Sequence, residues 1–203
     1  MTQVQRPTAR VARPDEWRRL GEVLGAAFHD DPVWMWVCPD DRRRRQHLGA
    51  AFAQVIRQRV RNGWGWTTTE GIQGGAVWAA PGHWKSRAVD GVRAIPPMVR
   101  AIGRHGLRER LEALSRLERH HPREPHWYLE ILAADPARRG RGIGSTLISP
   151  MLERCDTEGL PAYLESSKEE NLAFYGRFGF EVRDVLQIAP TAPPMWAMWR
   201  DPR

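Results

Sequence analysis

The stretch His126-Trp127-Tyr128-Leu129-Glu130-Ile131-Leu132-Ala133-Ala134-Asp135-Pro136 and the turn Arg138-Arg139-Gly140-Arg141-Gly142-Ile143-Gly144 decide how this 203-residue chain folds. The first part is short, apolar and aromatic, and an Asp-Pro pair ends it, as is typical of a buried strand. The residues from Ser145 to Leu152 continue with apolar positions at helical spacing. A strand, a Gly-rich turn and a helix N-terminus together favour an anion, because glycines let the backbone approach it and the first helical amides have no partner. A pyrophosphate suits such a site.

The turn differs from two common nucleotide-binding motifs. In Gly140-x-Gly142-x-Gly144 the third glycine comes too early for the dinucleotide fingerprint, and the Gly-Lys-Ser/Thr ending of a triphosphate-binding loop is missing. The turn resembles the Gln/Arg-x-x-Gly-x-Gly/Ala turn of the GCN5-related N-acetyltransferases (the GNAT superfamily), carried here by Arg139, Gly142 and Gly144.

A second motif resembles the same superfamily. Asn171, followed four residues later by Tyr175 and then by Gly179-Phe180, is similar to its B motif. Residues 122–199, with Tyr163-Leu164-Glu165-Ser166-Ser167, and the break Ala26-Ala27-Phe28-x-x-Asp31-Pro32 resemble a branch that contains puromycin N-acetyltransferase. The resemblance covers most of the chain and is weakest over 82–120.

The order of the patterns predicts an α/β (α+β) fold with a mixed sheet covered by helices, and the resemblance implies that this sheet is mostly antiparallel. The resemblance implies about six to seven strands, helices on both faces, and a splay between the strands at 126–134 and 161–167. The length favours a single domain over residues 1–203, with a helical insert at 82–125 that Pro96-Pro97 and Gly103 interrupt. The remaining patterns predict helices from Pro14, over 40–61 and over 172–178, a hairpin of 64–69 with 72–80, and strands at 8–12, 179–182 and 196–199.

The composition limits the partners. A net charge of +7 calls for an acidic partner, and coenzyme A with its phosphates satisfies this as well as a nucleic acid does. The run Arg42-Arg43-Arg44-Arg45 is interpreted as a solvated helix face, so nucleic acid is not the expected partner. No apolar run approaches the ~18 residues of a membrane span, the N-terminus has no signal core, and two cysteines make no disulfide framework. We therefore expect a cytoplasmic protein with no membrane partner, and a homodimer is left open.

The resemblance implies which residues bind the donor, acetyl-CoA. Backbone groups of the segment Leu132, Ala133 and Ala134 would pair with the pantetheine arm as a missing strand would. Asn171 would reach the pantetheine amides from the other side, although its position equally suits a helix N-cap. The backbone amides expected to hold the pyrophosphate belong to Arg139, Gly140, Arg141, Gly142, Ile143, Gly144 and Ser145.

Two residues are the candidates for acid and base. Tyr175 would protonate the departing thiolate. Glu130 is the first candidate for the base, because a lone carboxylate in an apolar strand is costly unless it is used or paired. Alternation places Glu130 on one face with Tyr128 and Leu132, and if helices cover that face Glu130 must be paired. Glu165 is the rival base, and an amine that arrives neutral would need none.

The acceptor pocket is assigned to Phe28, Trp34, Trp36 and Glu165, since flat aromatic walls suit an apolar or cationic substrate, although both tryptophans suit the core equally. His120, His121 and His126 are interpreted as turn histidines, and Cys38 and Cys155 as packing residues, which predicts direct acetyl transfer without a metal or an acetyl-enzyme. The expected acceptor is a primary amine of a small molecule, and the branch suggests an antibiotic. The alternatives are a protein or peptide amine, and a non-catalytic sensor of coenzyme A.

Overall fold

The computed structural model describes residues 7–85 and 88–203. Seven strands form one sheet in the order β1-β2-β3-β4-β5-β7-β6, and only β4 and β5 pair in parallel. The predicted mixed, mostly antiparallel sheet is therefore confirmed. The strands are β1 Ala9–Val11, β2 Gly65–Thr68, β3 Gly74–Ala79, β4 Trp127–Ala134, β5 Ala162–Ser166, β6 Glu181–Leu186 and β7 Met195–Arg200.

Helices cover both faces of this sheet. On one face α6 packs against a core that contains Trp78 and Leu129, and on the other face α1 and α3 pack against Val77 and Ile131. The helices are α1 Trp17–Ala27, α2 Pro32–Val37, α3 Asp41–Arg61, α4 Ala88–Ile102, α5 Leu107–His120, α6 Ile143–Glu158 and α7 Leu172–Gly176. Strands from both ends of the described chain join one sheet, and a single domain over 1–203 stays a prediction.

Local sequence explains where several helices begin and end. The Asp31 carboxylate accepts the amide hydrogens of Val33 and Trp34 and so caps α2, and Asp40 caps α3 by accepting from the Arg43 amide. Gly159 ends α6 with a φ of +64°, a conformation that glycine adopts without strain.

One expectation about the helices is wrong, and another, the solvated face of the arginine run, holds for Arg42, Arg43 and Arg45, which are exposed. Pro96 and Pro97 do not interrupt α4, which runs on to Ile102. Pro96 has no amide hydrogen to donate to the carbonyl of Val92, four residues earlier. Because Val92 is 64% exposed, water can hydrate that carbonyl instead. In the arginine run, Arg44 is buried and donates to the carbonyls of His29 and Cys38, which ties the loop before α3 to that helix.

A bulge in β4 sets the orientation of its side chains. Val77 of β3 lies opposite Ile131, and the next residue, Trp78, lies opposite Leu129, so Glu130 is the extra residue. The expectation that Leu132 shares a face with Tyr128 and Glu130 is therefore wrong. The inserted residue shifts the alternation, and Leu132 packs on the α6 side while Glu130 contacts α3.

Strands β4 and β5 separate soon after they meet. Their pairing is limited to Trp127 with Ala162 and Tyr128 with Tyr163, whereas β5 remains paired with β7 along its whole length. The implied splay between these strands is thus present, and it opens a cleft at the carboxyl ends of β4 and β5.

We expect Gly25→Ala to destabilise the fold. A Cβ at Gly25 would lie 2.5 Å from the backbone of Gly49, where α1 crosses α3, so the two helices must move apart. The free energy of unfolding in urea should fall by about 1–3 kcal/mol. Gly176→Ala is the matched control, because nothing lies within 4 Å of its added Cβ. Equal stability of the two variants would contradict the prediction.

Candidate active site

A cavity of about 770 Å³ lies in the cleft between β4 and β5. Its wall includes the carboxyl-terminal halves of both strands, the turn that leads into α6, and residues of α7. Side chains from α2, α3, α4 and α5 close the opposite end. The cavity therefore joins a backbone-lined end to a side-chain-lined end.

The turn before α6 presents unpaired backbone amides to this cavity. Gly140 and Gly142 have φ of +77° and +75°, which only glycine adopts readily. The amide of Thr146 makes the first hydrogen bond of α6, to the Gly142 carbonyl, and no side chain caps the helix. The amides of the three residues before Thr146 thus have no partner within the helix. They offer a site for an anion at the positive end of the helix dipole.

The exposed edge of β4 supplies a second row of backbone groups. The Asp135 amide donates to the Gln73 carbonyl at 2.8 Å. Asp135 and Gln73, the residue before β3, therefore form a hydrogen-bonded pair of the antiparallel ladder. Because such pairs alternate, Leu132 and Ala134 direct their backbone groups away from β3, into the cleft that β5 has left. An extended chain of amides could pair there as an added strand.

The described residues fit a donor that carries a pyrophosphate and an amide-containing arm. Arg138, Arg139 and Arg177 line the cavity beside the open amides and add positive charge. Gly140, Gly142, Ile143, Gly144 and Ser145 line it as expected, together with Leu132, Ala133 and Ala134. Arg141 is exposed and is not among the lining residues, so its side chain lies outside the site.

Asn171 directly precedes α7, Tyr175 lies near its end, and both line the cavity. The Tyr175 ring is buried between Phe174 and Phe180, and burial together with the charge of Asp31 raises the pKa of its hydroxyl. Asn171 is exposed and its side chain makes no capping hydrogen bond, so the N-cap interpretation is not supported.

Glu130 lines the cavity but is held by a buried cation. The Arg59 Nε of α3 lies 3.0 Å from Glu130 Oε2, and the same guanidinium donates to the Trp84 carbonyl. Burial raises the pKa of Glu130, and the charge and hydrogen bond of Arg59 lower it again. The structural pairing expected for a helix-covered face is thus present.

Glu165 lies in the same cavity, and no cation of the described residues pairs with it as Arg59 pairs with Glu130. Burial is the main cause that raises its pKa to about 7, and the charge of Glu130 adds to this. The hydroxyls of Tyr128 and Tyr163 lie near it and lower its pKa in part, although the Tyr163 hydroxyl makes no hydrogen bond of normal geometry within the described chain. His121 Nδ1 is 3.9 Å from Glu165 Oε1. Glu165 can therefore exchange a proton near neutral pH.

Aromatic rings form the wall of the far end. Phe28 stacks on Phe52 with ring centroids 5.2 Å apart, and Trp34 packs on Phe52 at 4.9 Å. Trp36 does not line the cavity, because residues two positions apart on a helix point to different sides. Its indole instead donates to Thr191 Oγ1 and lies beneath the guanidinium of Arg110.

Several residues of the site were not identified from the sequence. The buried Asp31 carboxylate accepts a hydrogen bond from the Ser167 hydroxyl, which links α2 to the end of β5. The 82–125 segment contributes Met98, Leu114 and Leu117 to the wall. The Asp-Pro break pointed to Asp31 only as a helix boundary, and no pattern in the sequence indicated the position of the segment.

The histidines and cysteines contribute differently. His121 and His126 are buried and contact each other, so they are not exposed turn residues, whereas Cys38 and Cys155 are buried thiols whose pKa burial raises. Within residues 7–85 and 88–203, no group of three or more His, Cys, Asp or Glu side chains is placed to hold a metal ion. In the same ranges no helix has the length and apolar character needed to cross a bilayer.

This geometry matches what comparison with known proteins finds. The sequence model of the Acetyltransferase (GNAT) family matches residues 100–180, which include β4, the turn, α6 and α7. An N-acetyltransferase of Schizosaccharomyces pombe, itself uncharacterised, is 26% identical over 96% of this chain and 83% of its own. Residues 100–180 thus carry the sequence of a GNAT acetyltransferase, and enzymes of this superfamily use acetyl-CoA.

Solved GNAT structures share the whole fold. One from Corynebacterium glutamicum, titled as histone acetyltransferase HPA2 and related acetyltransferase, is 26% identical, with a TM-score of 0.72 and 98% of each chain covered. Arylalkylamine N-acetyltransferase 2 of Aedes aegypti is 14% identical, with a TM-score of 0.65 over 98% of this chain and all of that one (100%). At this identity the second likeness shows the fold alone, and the puromycin N-acetyltransferase branch stays a prediction.

We expect Gly142→Ala to weaken the binding of acetyl-CoA to this GNAT protein. The φ of +75° is strained for alanine, so the turn should relax and move the open amides of α6. The dissociation constant, measured by tryptophan fluorescence, should rise at least about tenfold, as for the loss of one or two hydrogen bonds to a charged group. Gly71→Ala is the control, since Gly71 has a φ of +79° in a distant hairpin. Equal weakening by both substitutions would argue against the anion site.

Proposed function

We propose that this GNAT enzyme moves an acetyl group from acetyl-CoA directly to the primary amine of a small, largely apolar molecule. One observation carries the proposal: the open amides of α6, the phenol of Tyr175 and the carboxyl of Glu165 all line one cavity. Acetyl-CoA supplies the acetyl thioester and a thiolate leaving group. Every other part of the proposal concerns what the residues of this chain do.

The donor would be held by backbone rather than by side chains. The amides from Arg139 to Ser145 would bind its pyrophosphate, and Leu132 and Ala134 would pair with its pantetheine arm. Asn171 would meet the arm from the α7 side. The open amides of α6 and the unpaired backbone groups of β4 both face the cleft between β4 and β5, and this arrangement would bring the thioester toward the cavity centre.

The acceptor would enter from the aromatic end. Phe28, Trp34 and Phe52 form a flat apolar wall, and Met98 and Leu117 extend it. Beyond this wall lie Glu130 and Glu165, both buried carboxyls. This arrangement suits a molecule with an apolar body and a single ammonium head.

Tyr175 would act as the general acid. Burial keeps its hydroxyl protonated at neutral pH, because the pKa of the phenol is raised. The thiolate that leaves acetyl-CoA would take up this proton as the carbon–sulfur bond breaks. The pKa values of Cys38 and Cys155 are also raised and both thiols are buried, which supports direct transfer over an acetyl-enzyme.

Glu165 would take the proton from the attacking ammonium. Its pKa of about 7 leaves it able to accept a proton near neutral pH, whereas Glu130 already neutralises Arg59. Glu130 was the first candidate from the sequence, and its role here would be to hold Arg59 and to raise the pKa of Glu165 by its charge.

An amine panel tests the proposed function. Release of free thiol from acetyl-CoA should be stimulated by apolar primary amines such as 2-phenylethylamine and hardly at all by spermidine or a lysine peptide. Stimulation by the peptide alone would replace the small-molecule acceptor by a protein. Binding of acetyl-CoA without release for any amine would favour a sensor.

Tyr175→Phe should lower kcat about 100-fold or more while the dissociation constant of acetyl-CoA changes less than about threefold. The substitution removes only the hydroxyl that would protonate the thiolate. Phe178→Leu is the control for packing around α7, because Phe178 packs against Phe174 but does not line the cavity. Unchanged kcat in Tyr175→Phe at saturating substrate would remove this residue from the acid role.

The pH profile should identify the base. Because only ionised Glu165 can accept a proton, kcat/KM should fall as the pH drops through about 7. Glu165→Gln should abolish this limb and lower kcat/KM about 100-fold, whereas Glu130→Gln should keep a limb, shifted to lower pH by loss of the neighbouring charge. A limb that survives in Glu165→Gln and vanishes in Glu130→Gln would exchange the two roles.

A further inference from the structure

His121 and His126 form a buried pair directly behind Glu165. Their Nε2 atoms are 3.0 Å apart, and His121 Nδ1 is 3.9 Å from Glu165 Oε1. The His121 ring stacks on Trp84, with centroids 3.9 Å apart and an interplanar angle of 26°. None of the roles proposed above uses these two imidazoles.

Hydrogen-bond accounting fixes the tautomer of His126. Its Nδ1 lies 2.6 Å from the Glu124 carbonyl oxygen, which can only accept, so Nδ1 carries the hydrogen. Burial lowers the pKa of His126, so the ring is neutral and its Nε2 keeps a lone pair.

The tautomer of His121 follows from that of His126. The short Nε2–Nε2 contact needs one hydrogen, and since His126 has none to give there, His121 Nε2 donates it. Burial lowers the pKa of His121 to about 3, so this ring is neutral as well. Its Nδ1 therefore presents a lone pair, not a hydrogen, to the carboxyl of Glu165.

We propose that His126 holds His121 in the Nε2–H tautomer, and that this pair acts as a positioning device which keeps Glu165 able to take up a proton. The inference rests on the proposed role of Glu165 as the base. A lone pair facing the carboxylate disfavours the ionised form by electrostatic repulsion, and the protonated carboxyl would donate to His121 Nδ1 only after the two atoms, now 3.9 Å apart, move closer. An N–H at the same place would stabilise the carboxylate and weaken it as a base.

The other groups around this site stay the same when His126 alone is replaced. Any shift in the titration of Glu165 would then report the tautomer of His121. The titratable and charged groups concerned are Tyr128 and Glu130 on β4, Arg59 on α3, Tyr163 on β5, Asp184 on β6, and Lys85 and Glu124 in the flanking loops.

The first test reads the tautomers directly. In ¹⁵N-labelled protein, long-range ¹H–¹⁵N correlations at neutral pH should show His121 with hydrogen on Nε2 and His126 with hydrogen on Nδ1. Hydrogen on His121 Nδ1, or a charged imidazole at that position, would overturn the proposal. This measurement needs neither substrate nor turnover, so it is decided even if the variants fail to fold.

The second test follows the Glu165 carboxyl by ¹³C chemical shift, with its signal assigned by its loss in Glu165→Gln. His126→Phe keeps the ring contacts with Tyr163 and Trp199 but removes the acceptor, so His121 can move its hydrogen to Nδ1 and donate to Glu165. The midpoint should fall by about one pH unit or more. His126→Gln, which retains an acceptor, should keep most of the wild-type value, and His120→Phe, at an exposed neighbour, should change nothing.

The outcomes separate this inference from the proposed function. An unmoved midpoint in His126→Phe, or an equal fall in His126→Gln, would show that the histidines only pack. If the midpoint moves as expected while amines are not acetylated, the proposed function fails, but the inference that His126 holds the tautomer of His121 stands. If both hold, the acidic limb of kcat/KM should move with the carboxyl midpoint.

Discussion

The separation of β4 from β5 is the constraint on which the site depends. Two parallel strands that part after Tyr128 leave backbone amides and carbonyls without a strand partner inside a folded protein. Such groups need a hydrogen-bonding partner, because leaving them unpaired away from water costs free energy. The cleft is therefore suited to a ligand that resembles an extended chain. The bulge at Glu130 turns the side chains on the two halves of β4 in different directions.

Two buried carboxyls in one cavity have different proton affinities because their neighbours differ. Glu130 is compensated by Arg59, whose guanidinium is itself buried. Glu165 has phenols and a neutral imidazole beside it instead of a cation. One carboxyl is thus paired with a buried cation, while the other can gain and lose a proton near neutral pH, and such a division of roles is common in enzymes.

Under the proposed function, the acceptor would be selected by parts of the chain that lie far apart in sequence. Phe28 and Trp34 come from the first helices, and Met98 and Leu117 from the segment between hairpin and β4. The donor end, in contrast, is built by one continuous stretch from β4 into α6. The acceptor end can therefore change without changing the donor end, since the two ends are specified by different segments.

The sequence by itself determined the donor end, because its signals are local: an apolar strand, glycines at positions of positive φ, and an uncapped helix N-terminus within about twenty residues. It also indicated Tyr175 and both carboxyls as candidates. The tertiary structure alone decided that Glu130 pairs with Arg59, that His121 lies behind Glu165, and that Trp34 faces the cavity while Trp36 does not. These contacts join residues up to 71 positions apart, and burial and charge pairing between distant segments leave no periodic pattern in a sequence.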